Sequence, residues 1–171
     1  NFRAYVQKFD TVDDDILSGT EIAAVTKIDV SSKGISNLKG IEYFTALTYL
    51  YCFNNQLTSL DVSGCTALTG LSCNNNPLTS LDVSGCTTLR ALSCDNNQLT
   101  SLDVSKNTAL EYLYCKGNPF IAVNVASSIS VSDFNASPLS AFTATSPVIR
   151  LADYGIKEDM ISELTGGVIK Y

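Results

Sequence analysis

Apolar positions recur along this chain in a fixed order. Leu47, Leu50, Cys52, Asn55 and Leu57 are followed by Leu68, Leu71, Cys73, Asn76 and Leu78, and then by Leu89, Leu92, Cys94, Asn97 and Leu99. Leu110, Leu113, Cys115, Asn118 and Phe120 make a fourth copy, and the four starts, Leu47, Leu68, Leu89 and Leu110, are evenly spaced. A divergent first copy, Val25, Ile28, Val30, Lys33 and Ile35, precedes Leu47 at nearly the same interval. Within each copy the Leu50-type and Cys52-type positions alternate with outward residues, which is the pattern of a strand with one buried face. One such strand is too short to stand alone. Parallel stacking of the copies buries one continuous ladder and satisfies the strand hydrogen bonds. At least five parallel strands are therefore predicted, stacked through Ile28, Leu50, Leu71, Leu92 and Leu113.

The second half of each copy alternates as well: Leu60-Asp-Val62-Ser, Leu81-Asp-Val83-Ser and Leu102-Asp-Val104-Ser, with a weaker echo at Val123-Asn-Val125. Leu and Val point inward, so the return leg is extended or built of short turns rather than long helices. Asn55, Asn76, Asn97 and Asn118 stand where the chain leaves each strand, and turn residues with side-chain amides suit that place.

The shared pattern L-x-x-L-x-C-x-x-N-x-L resembles the leucine-rich-repeat family in period and core spacing over residues 25 to 125. The resemblance implies a repeat solenoid that is mostly β, with parallel strands on a concave face and an extended or short-turn convex side. The pairing of Leu-Asp-Val-Ser with Asn-Thr-Ala or Cys-Thr-Ala is similar to a group of bacterial surface leucine-rich-repeat proteins. That likeness implies an extracytoplasmic place, at the cell surface or secreted. The chain opens on Asn1 rather than Met, which is compatible with removal of an upstream leader.

Stacked repeats leave raw apolar ends that need caps. Residues 1–24 read as a helical N-terminal cap, with Phe2, Val6 and Phe9 at helical spacing and a second short helix beginning near Thr20. Between them, residues 10–21 resemble the EF-hand calcium loop, with Asp10, Asp14, Ser18 and Glu21 at ligand positions 1, 5, 9 and 12. Val12 stands at a ligand position and Asp15 where glycine makes the sharp turn, so the alternative is a loop of solvated carboxylates. Residues 126–171 read as a C-terminal cap. Val131, Phe134 and Ala136 continue the ladder as a degraded sixth strand, Leu139, Phe142 and Ala144 form its return leg, and Ile156, Met160, Ile161 and Leu164 suit a short amphipathic helix.

Six cysteines could suggest a disulfide framework or a zinc site. Four of them, however, occupy the inward column, and no close C-x₂₋₄-C pair exists for zinc. Neighbours in a column stand about 4.8 Å apart with parallel side chains, whereas a bridge wants Cβ atoms about 3.8 Å apart. The thiols are expected to be free. Cys65 and Cys86 form a second column, shared with Phe44 and Asn107, that reads as a partly buried packing slot.

Composition narrows the function. The chain has 171 residues, 45% hydrophobic and 16% charged, which suits a packed domain rather than a disordered one. A net charge of −6 without a basic cluster disfavours nucleic acid and anionic membrane surfaces. No apolar run is long enough to span a membrane. There is no histidine and no Gly-rich phosphate loop, and Asp61, Asp82 and Asp103 repeat one environment rather than forming an acid–base pair. The reading is a monomeric binding module, not an enzyme, with no cofactor unless calcium occupies the cap loop. Its partner would be a protein, peptide or glycan on the concave face, contacted by Tyr49, Tyr51, Phe53, Ser72, Asn74, Ser93, Asp95, Tyr112, Tyr114 and Lys116. The alternative is a structural spacer or adhesin segment whose surface recognises nothing specific.

Overall fold

A computed structural model describes residues 2–12, 16–119, 122–125 and 142–144. Five parallel strands form one sheet: β1 (Lys27–Asp29), β2 (Tyr49–Tyr51), β3 (Gly70–Ser72), β4 (Ala91–Ser93) and β6 (Tyr112–Tyr114). Pairing is in register, so that Ile28, Leu50, Leu71, Leu92 and Leu113 lie side by side. All five are buried. The return legs stack on the opposite side, where Asp61 bridges Asp82 and a second sheet joins β5 (Ser101–Val104), β7 (Ala122–Val125) and β8 (Phe142–Ala144). Phe142 pairs with Val123 and Ala144 with Val125, so this part of the C-terminal segment extends the return-leg stack. The expected sixth strand at 131–136 and the helix at 156–164 lie outside the described residues.

Between the two sheets runs one apolar core. Leu47, Leu68, Leu89 and Leu110 enter it before each strand, Leu57, Leu78 and Leu99 after it, and Val62, Val83 and Val104 from the return legs. Each buried leucine contributes about 1.5–3 kcal/mol relative to exposure.

Four successive coils close through an asparagine, where the first coil has Lys33. The Asn55 amide donates to the carbonyls of Val30 and Cys52, and its oxygen accepts from the backbone N–H of Lys33 and Ile35. Asn76 and Asn97 repeat this, donating to carbonyls of their own and the preceding coil and accepting from Leu57 and Leu78. Asn118 donates to Cys94 and Cys115 and accepts from Leu99. One residue earlier the backbone is left-handed at Asn54, Asn75, Asn96 and Gly117, as it is at Ser32 in the first coil. Asparagine and glycine tolerate that conformation best. The exposed side chains there form their own ladder, Asn96 to Asn75 to Asn54, each amide donating at 2.8 Å.

Elsewhere the convex side has a tight approach. A Cβ on Gly64 would lie 1.9 Å from the Glu42 carbonyl oxygen, in the short 3-10 turn Ile41–Tyr43, so glycine is needed for the coils to meet. Asp61, Asp82 and Asp103 accept from the N–H of Ser63, Ser84 and Ser105 at 3.0, 2.9 and 2.9 Å. The same serines hold these carboxyls below their ordinary pKa. They are turn builders.

The cap contains α1 (Phe2–Val6), a 3-10 turn over Gln7–Phe9 and α2 (Gly19–Ala24). Phe2 is buried and meets Phe44 edge-on at 6.5 Å, which closes the open end of the core. Tyr5 reaches the sheet edge, where its hydroxyl accepts from the Asp29 N–H at 3.1 Å.

All six cysteines are free and buried. The second column is therefore buried completely rather than in part: Cys65 and Cys86 are 0% exposed, as is Asn107 beside them. The coils close over this slot, Cys65 donating to the Ile41 carbonyl at 3.2 Å and the Asn107 amide donating to Val83 and Cys86. Burial pushes the Cys65, Cys73 and Cys115 thiols up to about 12 and Cys86 to about 11.

Two outcomes check this packing. Leu71→Ala, in the middle of the ladder, should cost about 2–5 kcal/mol in denaturant unfolding; a loss well below about 1 kcal/mol would mean that the column is loosely filled. Ellman titration without reductant should find almost no reactive thiol in the native protein and six after unfolding, because buried, protonated sulfur is a poor nucleophile. Fewer than six would reveal bridges.

Candidate functional site: the concave face and its cap

The strand alternation that buries Leu50 turns its neighbours outward. Register then sorts the outward residues into rows. One row is Lys27, Tyr49, Gly70, Ala91 and Tyr112; the next is Asp29, Tyr51, Ser72, Ser93 and Tyr114. Beyond the strand ends, Phe53, Asn74, Asp95 and Lys116 occupy matching places in successive coils. The structure thus brings the ten residues expected on this face together on one surface. It adds Lys27 and Asp29, which the sequence reading passed over. The signal was available: an inward Ile28 places both of its neighbours outward.

The two tyrosine pairs are built differently. The Tyr49 and Tyr51 rings lie parallel, 5° apart in plane and 6.3 Å between centroids. The Lys27 ammonium stands 5.1 Å from the centre of the Tyr51 ring. Tyr49 leans across the strand boundary onto Gly70, and a Cβ there would meet its ring at 2.8 Å. Gly70 is consequently buried, although it sits on the outward side. Tyr49 itself remains 44% exposed and Tyr112, in the same row, 47%. Tyr51 and Tyr114 are only half-exposed, so neither is a freely solvated side chain.

Between the pairs the trough is polar and small. The Ser72 hydroxyl donates to Asn74 Oδ1 at 2.9 Å and Ser93 to Asp95 Oδ2 at 3.3 Å. Asp95 also accepts from the Lys116 N–H at 2.8 Å. At the rim, Arg90 pairs with Glu111; both are exposed, so this pair adds little stability.

The cap loop is organised around Glu21. Its Oε1 accepts from the N–H and hydroxyl of Thr11, and its Oε2 from the N–H and hydroxyl of Ser18. Ser18 in turn accepts from the Glu21 N–H, which completes a capping box on α2. These donors, the Thr11 hydroxyl foremost, lower the Glu21 pKa from 4.5 to about 2. An ionised carboxylate has about four lone-pair sites, and the loop's own donors fill all of them. Of the four positions that suggested calcium, Ser18 and Glu21 meet in this box, and Asp14 lies outside the described residues. Among the described residues no group of three His, Cys, Asp or Glu side chains converges as a metal site. In this arrangement the acceptor sites of Glu21, position 12 of the calcium reading, are occupied by Thr11 and Ser18.

Stacked parallel strands, inward leucines and a coil-closing asparagine in four of the repeats define a parallel-strand β-solenoid of leucine-rich-repeat type. Residues 45–85 match the family model for leucine-rich repeats, in two copies. No curated protein matches the chain. Among solved structures the functional domain of InlJ from Listeria monocytogenes, described as including a cysteine ladder, is 28% identical, with a TM-score of 0.52 over 81% of this chain and 39% of that one. The internalin inlF of Listeria monocytogenes is 24% identical, with a TM-score of 0.51 over 89% of this chain and 57% of that one. Internalin C2 of the same organism is 18% identical, with a TM-score of 0.53 over 89% of each chain; at these lower identities the likeness is one of fold. The chain thus spans only 39% and 57% of the first two proteins. Its own column Cys52, Cys73, Cys94 and Cys115 lies in the buried face of the strand stack.

Gly70 has no positive φ, and Ala91 occupies the same row one strand along, so nothing in the backbone demands glycine there. Gly70→Ala should leave the unfolding midpoint close to the parent's while lifting the Tyr49 ring, read as a change in near-ultraviolet circular dichroism and in Tyr49 ring chemical shifts. Unchanged ring signals would mean that Tyr49 does not rest on Gly70.

For the cap, the sign follows from a lowered folded-state pKa: the Glu21 contribution is complete above pH 4.5 and is lost as pH falls from there to about 2. Glu21→Gln should therefore lower thermal stability at neutral pH and flatten the pH dependence in that window. Parallel parent and variant curves would show that the four hydrogen bonds contribute nothing.

Proposed function

We infer that this chain is an extracytoplasmic binding module that engages a protein partner with its concave face. The observation that carries the reading is the aromatic shelf. Tyr49 and Tyr51 hold their rings parallel, and Tyr49, the more exposed of the two, is seated on a glycine that the backbone does not require. Exposed aromatics that are already held in place cost little entropy on binding and are frequent anchors of interfaces. Tyr112 and Tyr114 provide a second pair three strands away from Tyr49 and Tyr51, roughly 14 Å by strand spacing. The serine and amide trough between them supplies hydrogen-bonding groups for an intervening segment. Leucine-rich repeats generally mediate protein interactions, which supports a protein over a glycan. A place outside the cytoplasm is supported by the resemblance of the Leu-Asp-Val-Ser repeat to bacterial surface proteins.

The test is a screen of immobilised extracellular proteins and glycans with the parent, Tyr51→Ala and Tyr114→Ala in parallel. Each variant should weaken a true protein ligand by more than about 1 kcal/mol, a factor of five or more. Both tyrosines are half-buried, so the unfolding midpoint of each variant is measured beside its affinity. Hits retained in full by both folded variants would remove the concave face from consideration. Hits confined to glycans would overturn the choice of a protein partner.

A further inference from the structure

Beside the first strand, a cleft of about 480 Å³ opens between the cap and the sheet edge. Lys8 and Phe9 line it from the 3-10 turn, Thr20 and Glu21 from α2, and Thr26 and Lys27 from the approach to β1. The charges in it are unusual for a chain of net charge −6. Among the described residues that line it, Glu21 is the one carboxylate, and that group is already saturated by Thr11 and Ser18. Neither Lys8 nor Lys27 has a carboxylate within ion-pair distance among the described residues. Their ammonium groups stand instead over aromatic faces: Lys8 is 3.7 Å from the centre of the Tyr5 ring, and Lys27 is 5.1 Å from that of Tyr51. Asp29, two residues along the strand from Lys27, accepts from the Ser31 N–H, and after that bond the nearby Lys27 charge also lowers its pKa.

The backbone adds a donor. β1 pairs with β2 on one side only, and on the other side the Asp29 N–H meets the Tyr5 hydroxyl. Amides two residues apart in a strand leave on the same edge, so the Lys27 N–H points out of the sheet toward the cap. Two ammonium groups and an edge amide together make a surface of hydrogen-bond donors. Lys27 also belongs to the concave row of Tyr49 and Gly70. A chain lying on the aromatic shelf therefore reaches this cleft without leaving the sheet.

We propose that the cap cleft binds a carboxylate presented by an acidic peptide segment, with Lys8 and Lys27 as its cationic contacts. The edge amide favours a peptide, whose own carbonyl complements it, as in recognition by strand edges. The proposal rests on the concave-face reading only for the direction from which the segment arrives.

The probe is an acetylated, amidated hexaglutamate peptide, titrated into the intact ¹⁵N-labelled chain at low salt, with hexaglutamine as the uncharged control. Saturable amide shifts are expected at Thr20, Ala24, Thr26 and Lys27, shrinking as salt is raised. Lys8→Gln and Lys27→Gln should each weaken binding by about 2–5-fold, the range of a partly exposed ion pair. Lys106→Gln, an exposed lysine on a distant turn, should leave it unchanged. The proposal is overturned if hexaglutamine gives the same shifts, if the shifts fall outside the cleft, or if both lysine variants bind like the parent. Tyr114→Ala, at the far end of the face, should leave this titration unaltered, so failure of the concave-face reading and failure of the cleft are told apart.

Discussion

One hydrogen-bonding unit holds the coils together: the buried asparagine that follows β2, β3, β4 and β6. Asn55, Asn76, Asn97 and Asn118 turn the chain where it must leave the sheet, and turning exposes carbonyl and amide groups inside the core. A buried backbone group without a partner costs about 1–3 kcal/mol. The asparagine supplies both an acceptor and a donor, and it directs them to two adjacent coils at once. Closure of one coil and adhesion to the next are therefore the same event. The leucine ladder supplies the driving force, but its register follows from this repeated clamp.

That clamp leaves the concave face free to vary. Inward positions of the strand stack have to fit one another, so they are Leu, Ile, Val or Cys in every copy, while the buried convex column takes Phe44, Cys65, Cys86 and Asn107. Outward positions meet no such demand, and there the copies diverge: Tyr49 and Tyr51 in one, Gly70 and Ser72 in the next, Ala91 and Ser93 after that. Divergence within a strictly periodic frame builds a surface that is local and asymmetric from a scaffold that is neither. The shelf at one end, the polar trough and the second tyrosine pair are all consequences of this freedom.

The cap does more than cover the open end. Phe2 closes the core against Phe44, Tyr5 satisfies an edge amide, and Glu21 ties the loop to α2. Glu21 serves the loop itself, since four donors from Thr11 and Ser18 converge on its carboxylate. What the cap leaves uncovered beside β1 is a donor-rich cleft at the edge of the concave face.

The repeat, the strand stack, the inward columns and the extended return legs were legible in the residue order, because a constant repeat period and a strict in–out alternation are one-dimensional signals. Ile28, Leu50, Leu71, Leu92 and Leu113 could be named as neighbours from spacing alone. The residue order also marked Cys52, Cys73, Cys94 and Cys115 as core. The arrangement of the surface emerged with packing, because side-chain direction across strands depends on what stands next door. Tyr49 lies flat since its neighbour is Gly70, a full repeat further along the chain; Lys27 borders a cleft since the cap stands off its edge; and Glu21 is consumed by Thr11, from the far end of the cap loop. The full burial of Cys65 and Cys86 is of the same kind. It follows from how closely the coils approach on the convex side, a distance that no single repeat encodes.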